Sequence, residues 1–495
     1  MPTVFWLPGL LMLSAISVLF IVILRKFIPW IFAQGGIPVD DQALTVLLLL
    51  FTVGFWIKAG GQLYPYMISI DVHWHMDRVR WILDGRLAEM YRPGAFNESV
   101  MPVNEWGENR PTIPYSPFFH IFATSFNIFP WALETTAKVF SSFIDTSRTF
   151  IIYGLAGMLG LKRRTGLLAA GLYAVFPATF LLHSWGNVPT TFGMWWTLIT
   201  SIFIIGAWGR LRTRKMFALL TLLLLITFLI YTVMAVYMGM VLVLWLIFIA
   251  WRNREQRPQV WAVFSATALA FSLSLAIYYG QYIPEIVQKT LPYFSQTLTQ
   301  GQESVGATPF EETYQDYLFA YIPRLWHYGL LIPVLLVPIG LWLIVRRHTL
   351  TDPRAKVAFW WMLAILAVSL IFVPIARSVP MVDKNVFFAM PVLAILFGVI
   401  IERALEQPRW LLLLLGAWYV ALLLERLLDP TPLTGGMVWL WLGLPLVASL
   451  CAWLWRTRWQ RPRWTTIPIA IGYLALLIAA LDLWVYRIEV VKQLW

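Results

Sequence analysis

Long uncharged apolar runs, each closed by a short cluster of Lys and Arg, recur from one end of this chain to the other. That alternation limits the fold more than any other feature, because about 20 apolar residues in a row make a helix that crosses ~30 Å of hydrocarbon. Of the 495 residues 60% are hydrophobic and only 13% charged, too few charges to cover a soluble surface. The soluble multidomain protein that the length alone would suggest is therefore excluded, as are disordered, collagen-like and disulfide-built chains. The lone cysteine, Cys451, lies in an apolar run and reads as packing. A net charge of +12 would hint at nucleic acid in a soluble protein. Here the basic residues sit between apolar segments, where orientation in a bilayer explains them, and no nucleic-acid partner is expected.

Candidate spans fall near 4–24, 43–63, 139–160, 165–182, 191–208, 216–231, 234–251, 260–279, 328–345, 357–376, 386–402, 410–427, 437–455 and 465–486. The first has no basic residue before it and Arg25-Lys26 after it, the wrong polarity for a cleaved signal, so a retained span with an outside N-terminus is expected. Segment 117–129, thirteen residues between Pro117 and Pro130, is too short to cross and reads as re-entrant or interfacial. With that choice 22 of the 37 Lys and Arg face one side, and the short loops opposite hold only Arg377 and Lys384, as the positive-inside rule requires. The expected fold is an all-α integral membrane bundle of about 13–14 transmembrane helices in the plasma membrane. Two long segments, 64–138 and 280–327, then lie outside and roof it. No internal repeat is evident, which weakens a transporter reading.

The first outer loop opens with Asp71-Val-His73-Trp-His75-Met-Asp77-Arg78-Val-Arg80. Val72, Met76, Val79, Leu83 and Leu87 recur at helical period, while His73, Asp77, Arg80 and Asp84 fall opposite, which predicts an interfacial helix. Asp71, His75 and Arg78 follow one flank of that stripe and are able to point into a single cavity. The pattern equally suits a solvated helix with a capping carboxylate. His73 and His75, two apart on a helix, diverge, and no zinc site is expected. Further on, Arg110, Pro111, Pro114, Tyr115 and Pro117 predict an extended segment before the short apolar helix that carries His120. Asp145 and Arg148, three apart on the third span, are placed to pair, either fixing helix packing or lining a cavity. Asn97-Glu-Ser99 fits a glycosylation pattern, and the tyrosines and carboxylates of 280–327 suit a sugar surface or an aromatic belt alike.

These pieces in their order resemble the GT-C superfamily of polytopic glycosyltransferases that use polyprenyl-phosphate sugars. They are the Asp71 helix, Tyr115-Ser-Pro117 before a short helix, Ser142-Phe-Ile-Asp145, Tyr153, and Lys162-Arg-Arg-Thr-Gly166 running on to Tyr173 and Pro177. The spacing of Asp71, His75 and Arg78 is similar to a bacterial and archaeal branch. The likeness covers about residues 60–200, and Arg377 to Pro391, with Lys384, resembles the family's basic outer turn. The resemblance implies three regions: 1–42, an extra N-terminal transmembrane helix and inside loop; 43–210, a GT-C-like catalytic half with outer loop 64–138; and 211–495, the C-terminal helices with outer loop 280–327.

It further implies transfer of a hexosyl or pentosyl group, with inversion, from a lipid-linked donor to a glycan, lipid or protein acceptor of the cell envelope at the outer face. Asp71 is then the general base, with His75 beside it as a second catalytic candidate. Arg78, Arg110, Arg324, Arg377 and Lys384 are the cations available to the donor phosphate, and snorkelling to lipid headgroups is their plain alternative. Some relatives hold a divalent metal with several carboxylates. Here His183-Ser-Trp-Gly-Asn187 stands where they carry an acidic residue, so no cofactor is expected while a divalent metal is left open. The rival classes are a transporter or lipid flippase, with Asp145 and Arg148 along its path, and a non-catalytic envelope scaffold.

Overall fold

A computed structural model of the chain describes residues 2–95, 103–306, 322–346, 350, 352–375, 383–428, 447–451, 453–455 and 463–494. Among these residues the architecture is all-α. Nine helices are long and apolar enough to cross a membrane, or ten if one bent pair is a single span. The main helices are α1 (Pro2–Gln34), α2 (Asp41–Gln62), α3 (Ile70–Leu83), α4 (Phe118–Ala123), α5 (Leu133–Met158), α6 (Arg163–Val175), α7 (Pro177–Trp185), α8 (Val188–Ala207), α9 (Arg214–Ile230), α10 (Thr232–Arg252) and α11 (Arg257–Ile277). After these come α12 (Leu291–Gln300), α13 (Val337–Arg346), α14 (Pro353–Ile375), α15 (Asp383–Glu406), α16 (Pro408–Leu428) and α17 (Arg463–Leu494).

Thirteen of the fourteen expected spans coincide with helical segments, and the other, 437–455, lies mostly outside the described residues. The helix expected from residue 139 starts at Leu133 instead, so Asp145 lies ~18 Å below its first residue rather than two turns below it. Segment 117–129 forms α4 and a 3₁₀ turn ending at Ile128, about 16 Å in all and too short to cross.

Local chemistry explains the breaks. Phe176 precedes Pro177, whose ring excludes the helical conformation from the residue before it, so Phe176 is extended and α6 and α7 meet at 41°. Tyr231, also extended, is the single residue between α9 and α10. Asp40 caps α2, its carboxylate accepting the Ala43 amide at 2.8 Å. Helix α15 is buried along nearly its whole length, and Gly398 allows α6 to close on it, because a Cβ there would lie 3.1 Å from the Ala169 backbone.

Among the described residues the basic clusters gather at one end of the bundle. There Lys162 pairs with Glu406 at 2.7 Å, Thr165 donates to Glu402 at 2.6 Å, and Arg354 holds the Gly35 carbonyl at 3.1 Å. The two long segments meet at the other end, called here the loop end, where tyrosine and threonine hydroxyls tie one to the other through backbone carbonyls. Tyr278 donates to the Tyr115 carbonyl at 2.7 Å, Thr290 to Thr112 at 2.7 Å and Tyr293 to Trp106 at 2.9 Å. These side chains are struts between loops. Of the second loop's remaining polar residues, 307–321 lie outside the described residues, as do Asn97 and Ser99.

Candidate active site at the loop end

Helix α3 forms where the periodicity predicts it, although Leu83, expected on its apolar stripe, is exposed. Val72, Met76 and Val79 join the main core, while His73, Asp77, Arg80 and Asp84 are exposed. Its outward face is tied to the first turn of α5 by Arg80, which reaches Glu134 at 2.6 Å and Asp77 at 2.8 Å. The flank between the two faces carries Asp71, His75 and Arg78, and the rest of the loop end closes upon it. His75 is 3% exposed, and its Nδ1 lies 3.1 Å from Nε2 of His120, itself fully buried on α4. The Arg78 guanidinium stacks between Trp74, at 4.5 Å, and Trp81, at 4.0 Å.

The prolines at 111, 114 and 117 keep the segment before α4 free of regular structure, which brings Tyr115 to the site. Ser116 donates to the Leu229 carbonyl and its amide reaches Thr232 at 3.2 Å, fixing Tyr115 against Tyr231 with ring centroids 5.9 Å apart. From the far half of the chain, Lys384 on the first turn of α15 donates to the Tyr231 hydroxyl at 2.7 Å.

Electrostatic coupling binds these groups into one site. Burial, then His120, Lys384 and Arg78, holds the His75 imidazole well below its ordinary value. Burial and Arg78 bring His120 down to about 3. Burial, then Tyr231 and Asp71, pushes the Tyr115 phenol well up. His75 is consequently neutral near pH 7, a hydrogen-bonding group and a poor base, and the acidic side chain on the same flank is the half-buried Asp71. Asp71, His75, Arg78, Tyr115 and Lys384, all named from the sequence, are thus brought together. Arg110 is half-buried in the extended segment, and among the described residues no ion pair joins it to the group. Arg377 lies outside the described residues. Sequence reasoning missed Tyr231 and the part played by His120.

Directly beside this group an apolar groove of about 1300 Å³ opens between α10 and α11. Its lining runs from Arg257 and Ala250 at the basic end to Pro114, Thr232 and Tyr279 at the loop end. Pro114 and Thr232 are the chain neighbours of Tyr115 and Tyr231, so the groove reaches the polar cluster over the ~30 Å length of α10.

Asp145 and Arg148 do pair, at 3.0 Å, but below this site and closed in packing rather than on an open path. Lys58 of α2, the charge that sequence reasoning passed over, reaches Asp145 at 2.7 Å, and its ammonium also meets Thr179 at 2.9 Å. His183 Nε2 stands 3.3 Å from the same carboxylate, and the Tyr173 hydroxyl donates to it at 2.8 Å. A lone ionisable residue inside an apolar run, as Lys58 is, was the signal available for this cluster. Among the described residues no group of three or more His, Cys, Asp or Glu side chains is placed to hold a metal ion.

The apolar helices and the distribution of charge between them make this a multi-pass integral membrane protein with short helices on its first long loop. The chain matches no family model and no curated protein. Among solved structures it is similar to ArnT from Cupriavidus metallidurans, crystallised bound to undecaprenyl phosphate. The identity is 16%, the match covers 75% of this chain and 68% of that one, and the TM-score is 0.41.

Proposed function

We propose that the chain is a membrane glycosyltransferase that moves a sugar from a polyprenyl-phosphate carrier to an acceptor at the outer face of the plasma membrane, with inversion. The observation that carries this reading is the meeting of a carboxylate, two cations and a membrane-length apolar groove at one place: Asp71, Arg78 and Lys384 beside the groove between α10 and α11. A carrier with an isoprenoid tail and a phosphate head needs both halves of that arrangement. The tail lies along the groove, and the phosphate meets Lys384, Tyr231 and Arg78, with neutral His75 offering a further hydrogen bond.

The acceptor hydroxyl attacks the anomeric carbon from the face opposite the phosphate. Asp71 takes its proton as the carbon–oxygen bond to phosphate breaks, and the departing phosphate monoester keeps the bonding pair and gains negative charge, which the cations stabilise. The closure of Asp145 and Arg148 by Lys58, Tyr173 and Thr191 weighs against the transporter alternative, for which that pair would line a path.

The test is binding followed by transfer. The purified protein in nanodiscs is heated with polyprenyl phosphate at a hundred times its dissociation constant, where a specific ligand adds about 2.7 kcal/mol of stability. It is then offered a panel of polyprenyl-phosphate sugars. Stabilisation together with release of the free carrier is expected; the absence of both across the panel overturns the reading.

A further inference from the structure

The first turn of α3 is aimed from below. Ser69, two residues before Asp71, has φ of +48°, the single positive value outside glycine among the described residues. A side chain resists that conformation, so neighbouring contacts must hold it there. Its Oγ donates to Oε1 of Gln62 at 3.2 Å, while Nε2 of Gln62 donates to the His183 carbonyl. The ring of His183 is held at Nδ1, 3.2 Å from Ser141 Oγ, and its Nε2 faces Asp145 at 3.3 Å. Asp145 is itself clamped by Lys58 and Arg148. Gln62 and Lys58 are one turn apart on α2, so a single helix face serves both the ion cluster and the loop. Every one of these side chains is at most 4% exposed.

Two further contacts close the clamp. Lys138 holds the Met67 carbonyl at 2.8 Å. Gly186, with φ of +79°, lets the α7–α8 corner press against Ser69 and Val72, where a Cβ would meet the Ser69 carbonyl oxygen and the Val72 amide at 2.9 Å.

We infer that Gln62 and Ser69 are positioning residues that transmit the rigid Lys58–Asp145–His183 cluster to Asp71 and set the direction of its carboxylate. The inference rests on the proposed transfer reaction for its catalytic consequence, but not for its geometry. Because the clamp reaches Asp71 through the backbone of the α2–α3 turn, loosening it is expected to act on the chemical step and to leave the donor's binding alone.

The test uses Ser69→Gly, which adopts the same φ without strain but loses the hydroxyl, Gln62→Leu, which removes both amide bonds at similar volume, and Ser69→Asn, which tolerates the left-handed conformation and restores a hydrogen-bonding side chain. For Ser69→Gly and Gln62→Leu in full-length protein, kcat is expected to fall on the order of 100-fold with KM for the donor within about twofold, and Ser69→Asn to recover part of the loss. Amide hydrogen exchange over Val72–His75 should rise in both loosened variants while exchange in α5 stays at the wild-type rate. An unchanged kcat overturns the inference, as does a kcat loss accompanied by equal loss of donor affinity and faster exchange throughout α5. If the wild-type protein transfers no sugar from any polyprenyl-phosphate donor, the functional reading fails and the exchange data alone decide the clamp. Unaltered protection at Val72–His75 then overturns it, and selective loss of protection supports it.

Discussion

The ammonium of Lys384 and the hydroxyl of Tyr231, 153 residues apart in sequence, meet at 2.7 Å, joining the start of α15 to the extended residue between α9 and α10. This contact brings a cation from the C-terminal half to the mouth of the groove, opposite the helix that carries Asp71. It predicts unequal effects of the two side chains on donor binding. A charged hydrogen bond contributes about 1.5–3 kcal/mol, so Lys384→Ala should weaken donor affinity roughly 10- to 150-fold. Tyr231→Phe, which removes a neutral donor and leaves the cation, should cost no more than about tenfold. Titration of polyprenyl phosphate into the two variants measures both, and equal affinities in variants and wild type contradict the assignment.

Lys58, Asp145 and Arg148 place two cations around one carboxylate in packing that excludes water. Removing the carboxylate strands both cations, whereas removing Lys58 leaves the Asp145–Arg148 pair intact. Asp145→Asn should therefore destabilise more than Lys58→Met, with breakage of a buried pair costing about 3–5 kcal/mol. Thermal unfolding of the two variants in the same detergent reads the order directly.

His75 and His120 give a pH dependence with a definite sign. Both are held neutral in the folded protein, His120 down to about 3, while an unfolded histidine takes up its proton near 6.5. Below 6.5 the unfolded chain binds more protons than the folded one, so stability is fully present above that value and is lost as the pH falls towards 3. Each group contributes a slope of about 1.4 kcal/mol per pH unit within its window. Melting temperatures between pH 7 and 4 should fall for wild type and fall less steeply for His120→Phe.

Tyr278 bonds the Tyr115 carbonyl at 2.7 Å and shares a hydrogen bond with Tyr282 at 2.8 Å. Tyr278→Phe should cost about 0.5–1.5 kcal/mol and release the extended segment that carries Tyr115. Limited proteolysis between residues 107 and 117 should accelerate, and an unchanged cleavage rate would show that the strut does not hold the loop.

What the sequence disclosed and what it withheld have distinct physical causes. The spans and the burial of Val72, Met76 and Val79 on α3 were legible because they rest on local periodicity and on the position of charge along the chain. Asp71, His75 and Arg78 could be grouped since one helix carries all three. Lys58 was overlooked because its partner is 87 residues away and its own run is otherwise apolar. The role of Tyr231 required knowledge of where α15 begins. The tyrosine struts were illegible for another reason: their acceptors are backbone carbonyls, which leave no mark on the identity of the residue that bears them. The early start of α5 escaped notice as well, since Glu134 and Lys138 interrupt the apolar run where the helix itself continues.

In the proposed reaction Asp71 takes the acceptor's proton, and the most direct measurement is sugar transfer by Asp71→Asn in reconstituted membranes, set beside its affinity for polyprenyl phosphate. Turnover should fall by a factor on the order of 10²–10⁴, the usual worth of a positioned base, with carrier binding close to wild type. Turnover retained at the wild-type rate would contradict the assignment and remove the base from the proposed reaction.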